Sequence, residues 1–376
     1  MKIWFPYIYA GTGSDQFTKV LSEALRARGH EVIVSCFSHA WQYFPWRLFI
    51  EPVPAGTDII VANSWNAFAF KRPKSKLVVV EHLFVLDPAL GPYRSYAQSI
   101  FHNILVRYFV GSSYQAADKV VALSKYAWQR MVDVFPQLNP VIIRNGIDTD
   151  YFNPATDGKE SLEGRKVRLL FVGNPTQRKG ADLLPQIIRQ LGQGFELYYT
   201  SGLHMEDTFR GISGMVPLGR LDRVGVKAAY RAADLFLFPS RLEGMPLAVM
   251  EALSCGTPAV VSDASSFPEM IQNSVNGRVC RKDDVCGMVD AIRDTVFDLH
   301  KLSLMGKAAR ESALEQFSLS RMVREYEQLL KSMLDPSQKF TQANKRHVDY
   351  RLRHSIYLDN TVENWTEQSD ANGKAY

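Results

Sequence analysis

The chain has 376 residues, 46% of them hydrophobic and 22% charged, which is enough for two ordinary domains and excludes a disordered or fibrous protein. Its formal net charge of +5 suits phosphate ligands or an anionic membrane surface without being diagnostic of either, and no nucleic-acid partner is expected. Cys36, Cys255, Cys280 and Cys286 form no C-x-x-C pair and have no histidine at zinc spacing, so a cytoplasmic protein with reduced thiols and no structural metal is expected.

Taken in chain order, residues 2–9 read as a strand, 14–28 as a helix closed by Gly29, and 31–36 as a second strand. The N-terminus is too short and interrupted for a signal peptide, and no segment approaches ~18 uninterrupted apolar residues. Strands follow at 58–62, 77–80 and 119–122, with helical patterns at 95–117 and 126–135. Between 145 and 164 the composition shifts to Asn, Asp, Gly, Pro and Thr, as in an interdomain linker. The alternation restarts with a strand at 167–172, a helix at 181–190 and a strand at 195–199, and ends in helices through about residue 334. Apolar, β-branched strands alternating with helices predict an α/β protein of two doubly wound, Rossmann-like domains facing across a cleft. From 335 onward the chain is polar and aperiodic with a basic middle, a partly disordered tail or an extension of unread role.

The stretch 234–258, DLFLFPSRLEGMPLAVMEALSCGTP, organises the second half as strand, loop, helix and stop. Its helix start, with Gly244 and Pro246, offers first-turn amides and a dipole that suit an anion beyond the strand's C-terminal end. Glu243 and Glu251 are eight residues apart, ~12 Å if helical throughout. That is too far for the paired carboxyls of glycosidases, which need about 5–5.5 Å or about 6.5–9.5 Å. The two acids suit the two ends of one long ligand, such as a nucleotide-sugar; the alternative is a solvated helix face and an ordinary loop acid.

Four other clusters, and a pair of aromatic stretches, carry chemistry or imitate it. Gly11-Thr12-Gly13 follows the first strand and would let backbone approach a phosphate, or would simply make a tight turn; Gln16 stands where a dinucleotide fingerprint needs glycine. Arg178-Lys179-Gly180 follows the strand at 167–172 and is either a solvated basic pair or a clamp for charge developing on a leaving phosphate. Glu81-His82 ends the strand at 77–80, on the sheet edge where ligands bind, although a packed or solvent-facing histidine would look the same. Asp148-Thr149-Asp150 spells a D-x-D metal motif, but it lies in the linker and follows no nucleotide-binding strand. Two aromatic and basic stretches, 41–49 and 99–109, read either as core and loop packing or as a surface for a lipid-linked acceptor or a membrane.

Several of these stretches, in this order, resemble motifs of the retaining GT-B glycosyltransferases of family 4 (glycosyl transferases group 1). They are PYIYAGTGSDQFTKVLSEALRARGHEV, VVALS, RNGIDTDYFNP, FVGNPTQRKG and the E-x7-E stretch with its flanking PS and GTP. The resemblance covers roughly residues 2 to 334. It implies an N-terminal acceptor domain (1–155), a C-terminal nucleotide-sugar domain (156–318), a helix at 319–334 crossing back onto the first domain, and the tail 335–376.

By the same resemblance, Glu251 would hold the ribose hydroxyls and Glu243 those of the transferred sugar. Gly244, Met245, Pro246 and Leu247 would shape the sugar and phosphate site, Pro246 only through its carbonyl. Gly13 would face the diphosphate across the cleft, Arg178 and Lys179 would stabilise it as it leaves, and His82 would orient the sugar or the incoming hydroxyl. Family members often carry arginine directly after the first glycine of the basic loop, where this chain has Asn174, which leaves Arg178 and Lys179 as the cationic clamp. The implied reaction is metal-independent, retaining transfer to a saccharide or lipid-linked acceptor in cell-surface polysaccharide, lipopolysaccharide or glycoconjugate synthesis. No cofactor is expected beyond the donor, and peripheral membrane contact would run through the N-terminal domain. The rivals are an epimerase or phosphorylase of the same architecture and a non-catalytic nucleotide-sugar binder.

Overall fold

A computed structural model of the protein describes residues 1–11, 13–156, 162–201, 209–335, 337–338 and 340. The expected tail lies, beyond residue 340, outside the described residues. The first half runs β1 (Lys2–Ile8), α1 (Gly13–Ala27), β2 (Glu31–Phe37), β3 (Ile59–Asn63), β4 (Lys76–Glu81), α2 (Tyr96–Phe101), α3 (Arg107–Ala116), β5 (Lys119–Ala122), α4 (Lys125–Val134) and β6 (Val141–Ile142). Its strands pair in parallel in the order β2-β1-β3-β4-β5-β6.

The second half runs β7 (Val167–Phe171), α5 (Leu184–Leu191), β8 (Phe195–Thr200), β9 (Met215–Gly219), α6 (Arg223–Ala232), β10 (Leu235–Phe238), α7 (Leu247–Ser254), β11 (Ala259–Ser262), α8 (Phe267–Met270), β12 (Gly277–Cys280), α9 (Val285–Phe297), α10 (Leu299–Phe317) and α11 (Leu319–Leu334). It forms a second parallel sheet, ordered β12-β11-β10-β7-β8-β9.

Strand composition follows position. Leu77 to Val80 of β4 and all four residues of β10 are buried, because helices cover both faces of a central parallel strand. Chain order reverses between β1 and β3 in the first sheet and between β7 and β10 in the second. Ligands bind in the crevice beyond the strands' carboxyl ends at such a reversal, and the segments leaving β1, β7 and β10 are those that carry Gly13, Arg178-Lys179 and Glu243.

The expected helix at 95–117 is divided: α2 and α3 are joined by a π-helical turn, His102–Val106, which shifts the helical face between them. The helix expected at 181–190 opens with a 3₁₀ turn, Ala181–Leu183, before α5 begins. Strands β6, β9, β11 and β12 add to those that the hydrophobic pattern predicts. β6 is two residues long, β9 carries Pro217 and ends on Gly219 at a sheet edge, and β12 opens on glycine.

The segment between the sheets is stapled to the C-terminal helices. Ile147 N–H donates to the Phe317 carbonyl at 2.8 Å, and Leu319 N–H donates to Ile147 O at 2.7 Å. A Cβ on Gly146 would lie 2.8 Å from Ser318 O, so glycine permits the approach. α11 then lies against α1, with Tyr326 packed on Phe17 at 5.6 Å between ring centres. His30 and Arg28 both meet Glu327 of α11, at 3.1 Å and 2.7 Å.

Lys331, Arg28 and His30 together hold the Glu327 carboxyl down at about 2. A depressed carboxyl contributes stability above its ordinary value of 4.5, and that contribution is lost as pH falls toward 2. Glu327→Gln should therefore cost on the order of 1 kcal/mol at pH 7 in urea unfolding. The gap to the parent protein should close as pH is lowered from 4.5 toward 2.

Candidate functional site

The loop after β7 is built around Gly180. Thr176 begins a short turn, Gln177–Lys179, that ends on Gly180 at φ +69°. A Cβ there would lie 2.2 Å from the Pro239 carbonyl oxygen, so only glycine lets this loop lie against the loop after β10. Backbone and side-chain bonds then lock the two together. Arg241 N–H donates to Arg178 O at 2.8 Å, and Ser240 Oγ donates to the same oxygen at 3.2 Å. The Arg241 guanidinium bridges Asp182 at 2.6 Å and Asp283 at 2.5 Å.

The result is a compact charge cluster. Glu243 Oε1 lies 3.1 Å from Arg178 Nη1 and 3.7 Å from Lys179 Nζ, and it accepts from Ser240 Oγ at 3.2 Å. Lys179 Nζ also sits 5.2 Å from the ring centre of Phe238, where the aromatic face favours a cation. Arg178 additionally donates to the Leu242 carbonyl. The basic pair and the acid, 65 residues apart for Arg178 and Glu243, thus meet at the second sheet's reversal point, and the pair is not a free solvated one.

The rest of the 243–251 stretch departs from a uniform helix. α7 begins at Leu247 and Pro246 is its N-cap at φ −72°, ψ 122°, so the expected Pro in the first turn stands one position earlier. Helical rise therefore does not set the whole Glu243–Glu251 spacing. Met245 is buried and its carbonyl accepts from Asn145 of the linker at 3.3 Å. Gly244 is pressed onto the first half of the chain: a Cβ there would lie 1.8 Å from His82 O. At Gly13, an added Cβ would lie 4.0 Å from Leu247 Cδ1, which brings the starts of α1 and α7 face to face.

His82 stands on the same side of this junction. Its Nε2 is 3.1 Å from Asn63 Oδ1 and its ring packs edge-on against Phe17 at 4.7 Å. Burial lowers its pKa to about 4, so the imidazole is neutral at physiological pH. With Nε2–H donating to Asn63, Nδ1 is left as an acceptor. The adjoining Glu81 points into the first sheet's core instead, where it accepts from Tyr114 at 2.6 Å and burial pushes it up to about 7. Glu251 lies at the middle of α7; Tyr230 donates to its Oε2 at 3.0 Å, and burial raises its carboxyl to about 7 against that hydrogen bond.

Asp148 of the D-x-D triplet accepts from Tyr151 N–H at 2.9 Å and pairs with Arg223 at 3.3 Å, as a turn residue does. Among the described residues no group of three or more His, Cys, Asp or Glu is placed to hold a metal. A cavity of about 580 Å³ behind α7, lined by Pro154, Cys255, Leu302 and Arg310, contains none of the site residues. Asn63, Tyr230, Asp182 and Asp283 join the site without any signal in the sequence, and Ser240 joins it as well. Only Ser240 carried a signal, as the serine of the PS pair before the loop.

With this geometry in hand, the chain can be set beside known proteins. Residues 166–298 match the family described as Glycosyl transferases group 1. An uncharacterized 41.2 kDa protein of the cps region of Klebsiella pneumoniae is 26% identical over 284 residues, 70% of this chain and 74% of that protein. The sulfoquinovosyl transferase of Arabidopsis thaliana is 30% identical over 177 residues, 44% of this chain but only 35% of the plant protein. In three dimensions the chain resembles the Anabaena protein HepE, solved with UDP, at a TM-score of 0.70 and 16% identity over 88% of this chain and all of that one. Fold and matched domain together define the class: a glycosyltransferase of GT-B architecture.

Buried Glu251 makes stability depend on pH. Its folded-state carboxyl keeps its proton up to about 7, whereas an unfolded one loses it near 4.5. The stability it adds is present below 4.5 and is lost as pH rises through 7. Glu251→Gln should therefore be more stable than the parent at pH 8, on the order of 1 kcal/mol or more, and nearly equal to it below pH 4.5, in denaturant melts.

Proposed function

We propose that the protein is a retaining glycosyltransferase of family 4 that transfers a sugar from a nucleotide diphosphate to an acceptor hydroxyl. The observation carrying this reading is the meeting of Arg178, Lys179 and Glu243 at the second reversal point, faced by Gly13 and His82. Two cations beside the start of α7 suit a diphosphate, and one carboxylate beside them suits sugar hydroxyls. Arg178 and Lys179 supply the positive charge for the leaving group, so a divalent metal is given no part.

In the proposed step, the bond between the anomeric carbon and the β-phosphate oxygen breaks as the acceptor oxygen bonds to the same face of that carbon. The acceptor's proton passes to the departing phosphate oxygen, so configuration is kept. Glu243 and the diphosphate compete for the same two cations. A bound donor would draw Arg178 and Lys179 onto phosphate and release Glu243 for the hydroxyls of the hexose. Glu251, held by Tyr230, would take the ribose hydroxyls, while backbone at Gly244, Met245, Pro246 and Leu247 shapes the pocket. Neutral His82 would accept from a hydroxyl through Nδ1.

The UDP of the Anabaena structure supports uridine donors as the first to test. The acceptor in this reading is a saccharide or a lipid-linked one, in the synthesis of cell-surface polysaccharide, lipopolysaccharide or another glycoconjugate.

A thermal-shift panel of UDP-, GDP-, ADP- and dTDP-sugars tests the reading. A cognate donor at 100 times its dissociation constant should stabilise the protein by about 2.7 kcal/mol, and a panel with no response would defeat it. Lys179→Ala should lower turnover about 100-fold or more. Glu243→Gln should bind the free nucleoside diphosphate more tightly than the parent while transferring more slowly, read by calorimetry and product assay.

A further inference from the structure

We infer that Ser265 is a positioning residue for Glu243, held in a left-handed turn so that its hydroxyl fixes the backbone beneath that carboxylate. Among the described residues three non-glycines take positive φ: Ser265 at +49°, Ser274 at +63° and Asp283 at +65°. A Cβ is disfavoured in this conformation, so each occurrence asks for a reason. Ser274 has an ordinary one, since its N–H donates to the Gly277 carbonyl in the tight turn that leads into β12. The other two put their side chains on a single target, the loop after β10. Asp283 Oδ1 meets Arg241 Nε at 2.5 Å, and Ser265 Oγ accepts from the Glu243 N–H at 3.1 Å.

The segment around Ser265 is anchored on both sides. Ser262, the last residue of β11, donates from Oγ to the Ser240 carbonyl at 2.5 Å. Asp263 is tied to the strand on the other side: its N–H donates to Cys280 O at 2.7 Å, and its carboxylate accepts from the Lys282 N–H at 2.8 Å. Phe267, which opens α8, is fully buried and packs edge-on against Phe238 at 5.9 Å. The chain between these anchors has little slack, and surroundings that over-determine a residue are what preserve an unfavourable backbone.

Glycine would take φ +49° at no steric cost, but it has no oxygen for the Glu243 N–H. The hydroxyl is what serine adds, and its partner is the backbone of the acid in the charge cluster. Glu243 is thereby held twice: at its N–H by Ser265, and at Oε1 by Arg178 at 3.1 Å and Ser240 at 3.2 Å. Ser262 and Ser265 together grip the two ends of the turn from Ser240 to Glu243. A carboxylate tied through backbone and side chain has its direction set before a ligand arrives, and small displacements of such a group are costly to rate. The effect on turnover rests on the transferase reading; the placement of Glu243 does not.

Two variants, Ser265→Gly and Ser265→Ala, separate placement from stability. Glycine removes the strain along with the hydroxyl, whereas alanine removes the hydroxyl and keeps the strain. The glycine variant should therefore melt at a higher temperature than the alanine variant. Turnover should nevertheless fall alike in both, by about tenfold. The loss should lie in kcat, with the donor KM and the calorimetric Kd for UDP within about twofold of the parent's, because Arg178 and Lys179 are unchanged. Crystal structures of both variants without ligand should show the Glu243 carboxylate displaced from Arg178. That readout needs no reaction, so it judges Ser265 even if the thermal-shift panel defeats the transferase reading. The inference is overturned if both variants turn over within about twofold of the parent, or if activity follows melting temperature and falls only in the alanine variant. It is also overturned if Glu243 stays on Arg178 in both variant crystals, or if a crystal of the parent places Ser265 outside the left-handed region.

Discussion

The site depends on a contact between two loops that only a glycine allows. With Gly180 in a left-handed turn against the Pro239 carbonyl, the loop after β7 and the loop after β10 become one surface. Arg178 is then used twice: its carbonyl receives Ser240 and Arg241 from the second loop, and its guanidinium meets Glu243. Arg241, tied to Asp182 and Asp283, holds the same two loops from behind. Side-chain charges that would otherwise be solvated are thereby placed within hydrogen-bond reach of one another. Electrostatic groups fixed in advance need little reorganisation when charge develops between them.

That junction would be useless if the two sheets were free to drift apart. They are joined at three levels. Gly244 rests on the His82 carbonyl at the cleft, Glu269 of α8 accepts from the N–H groups of Lys125 and Tyr126 at the start of α4, and Ile147 bonds both sides of the α10–α11 junction. The second of these sets a carboxylate on a helix N-terminus, where unpaired amides and the dipole favour negative charge. The linker contact is made by backbone hydrogen bonds beside packed apolar groups, whereas Glu269 reaches α4 through a side chain.

How much of this was legible in the sequence follows from what each feature depends on. The alternation of apolar strands with helices reported the doubly wound halves directly, because burial on both faces demands nearly continuous Val, Ile, Leu and Phe. Arg178, Lys179, Glu243, Gly13 and His82 were legible because each sits just after a strand, and strand ends are where a parallel sheet binds ligands. The partners were not legible. Asn63 lies 19 residues before His82, and Tyr230 lies 21 before Glu251, with no periodicity linking either pair. Short edge strands such as β6 and β9 escaped for a related reason, since their ladder partners carry information that their own few residues lack.

The two reversal points also explain why the second half is the more readable one. Its strand order, 3-2-1-4-5-6 in local numbering, puts the loops after its first and fourth strands side by side, so one pair of loops makes the whole charged pocket. In the first half the order is 2-1-3-4-5-6, and the loop after β1 is flanked by segments leaving β2, β3 and β4 that are long, aromatic and irregular. A fixed charge pocket constrains residue type tightly, because phosphate and sugar hydroxyls do not vary. An irregular aromatic surface needs only apolar bulk and positive charge in rough register, which many sequences supply. The charged pocket of the second half is therefore legible as a motif, and the aromatic surface of the first half only as a composition.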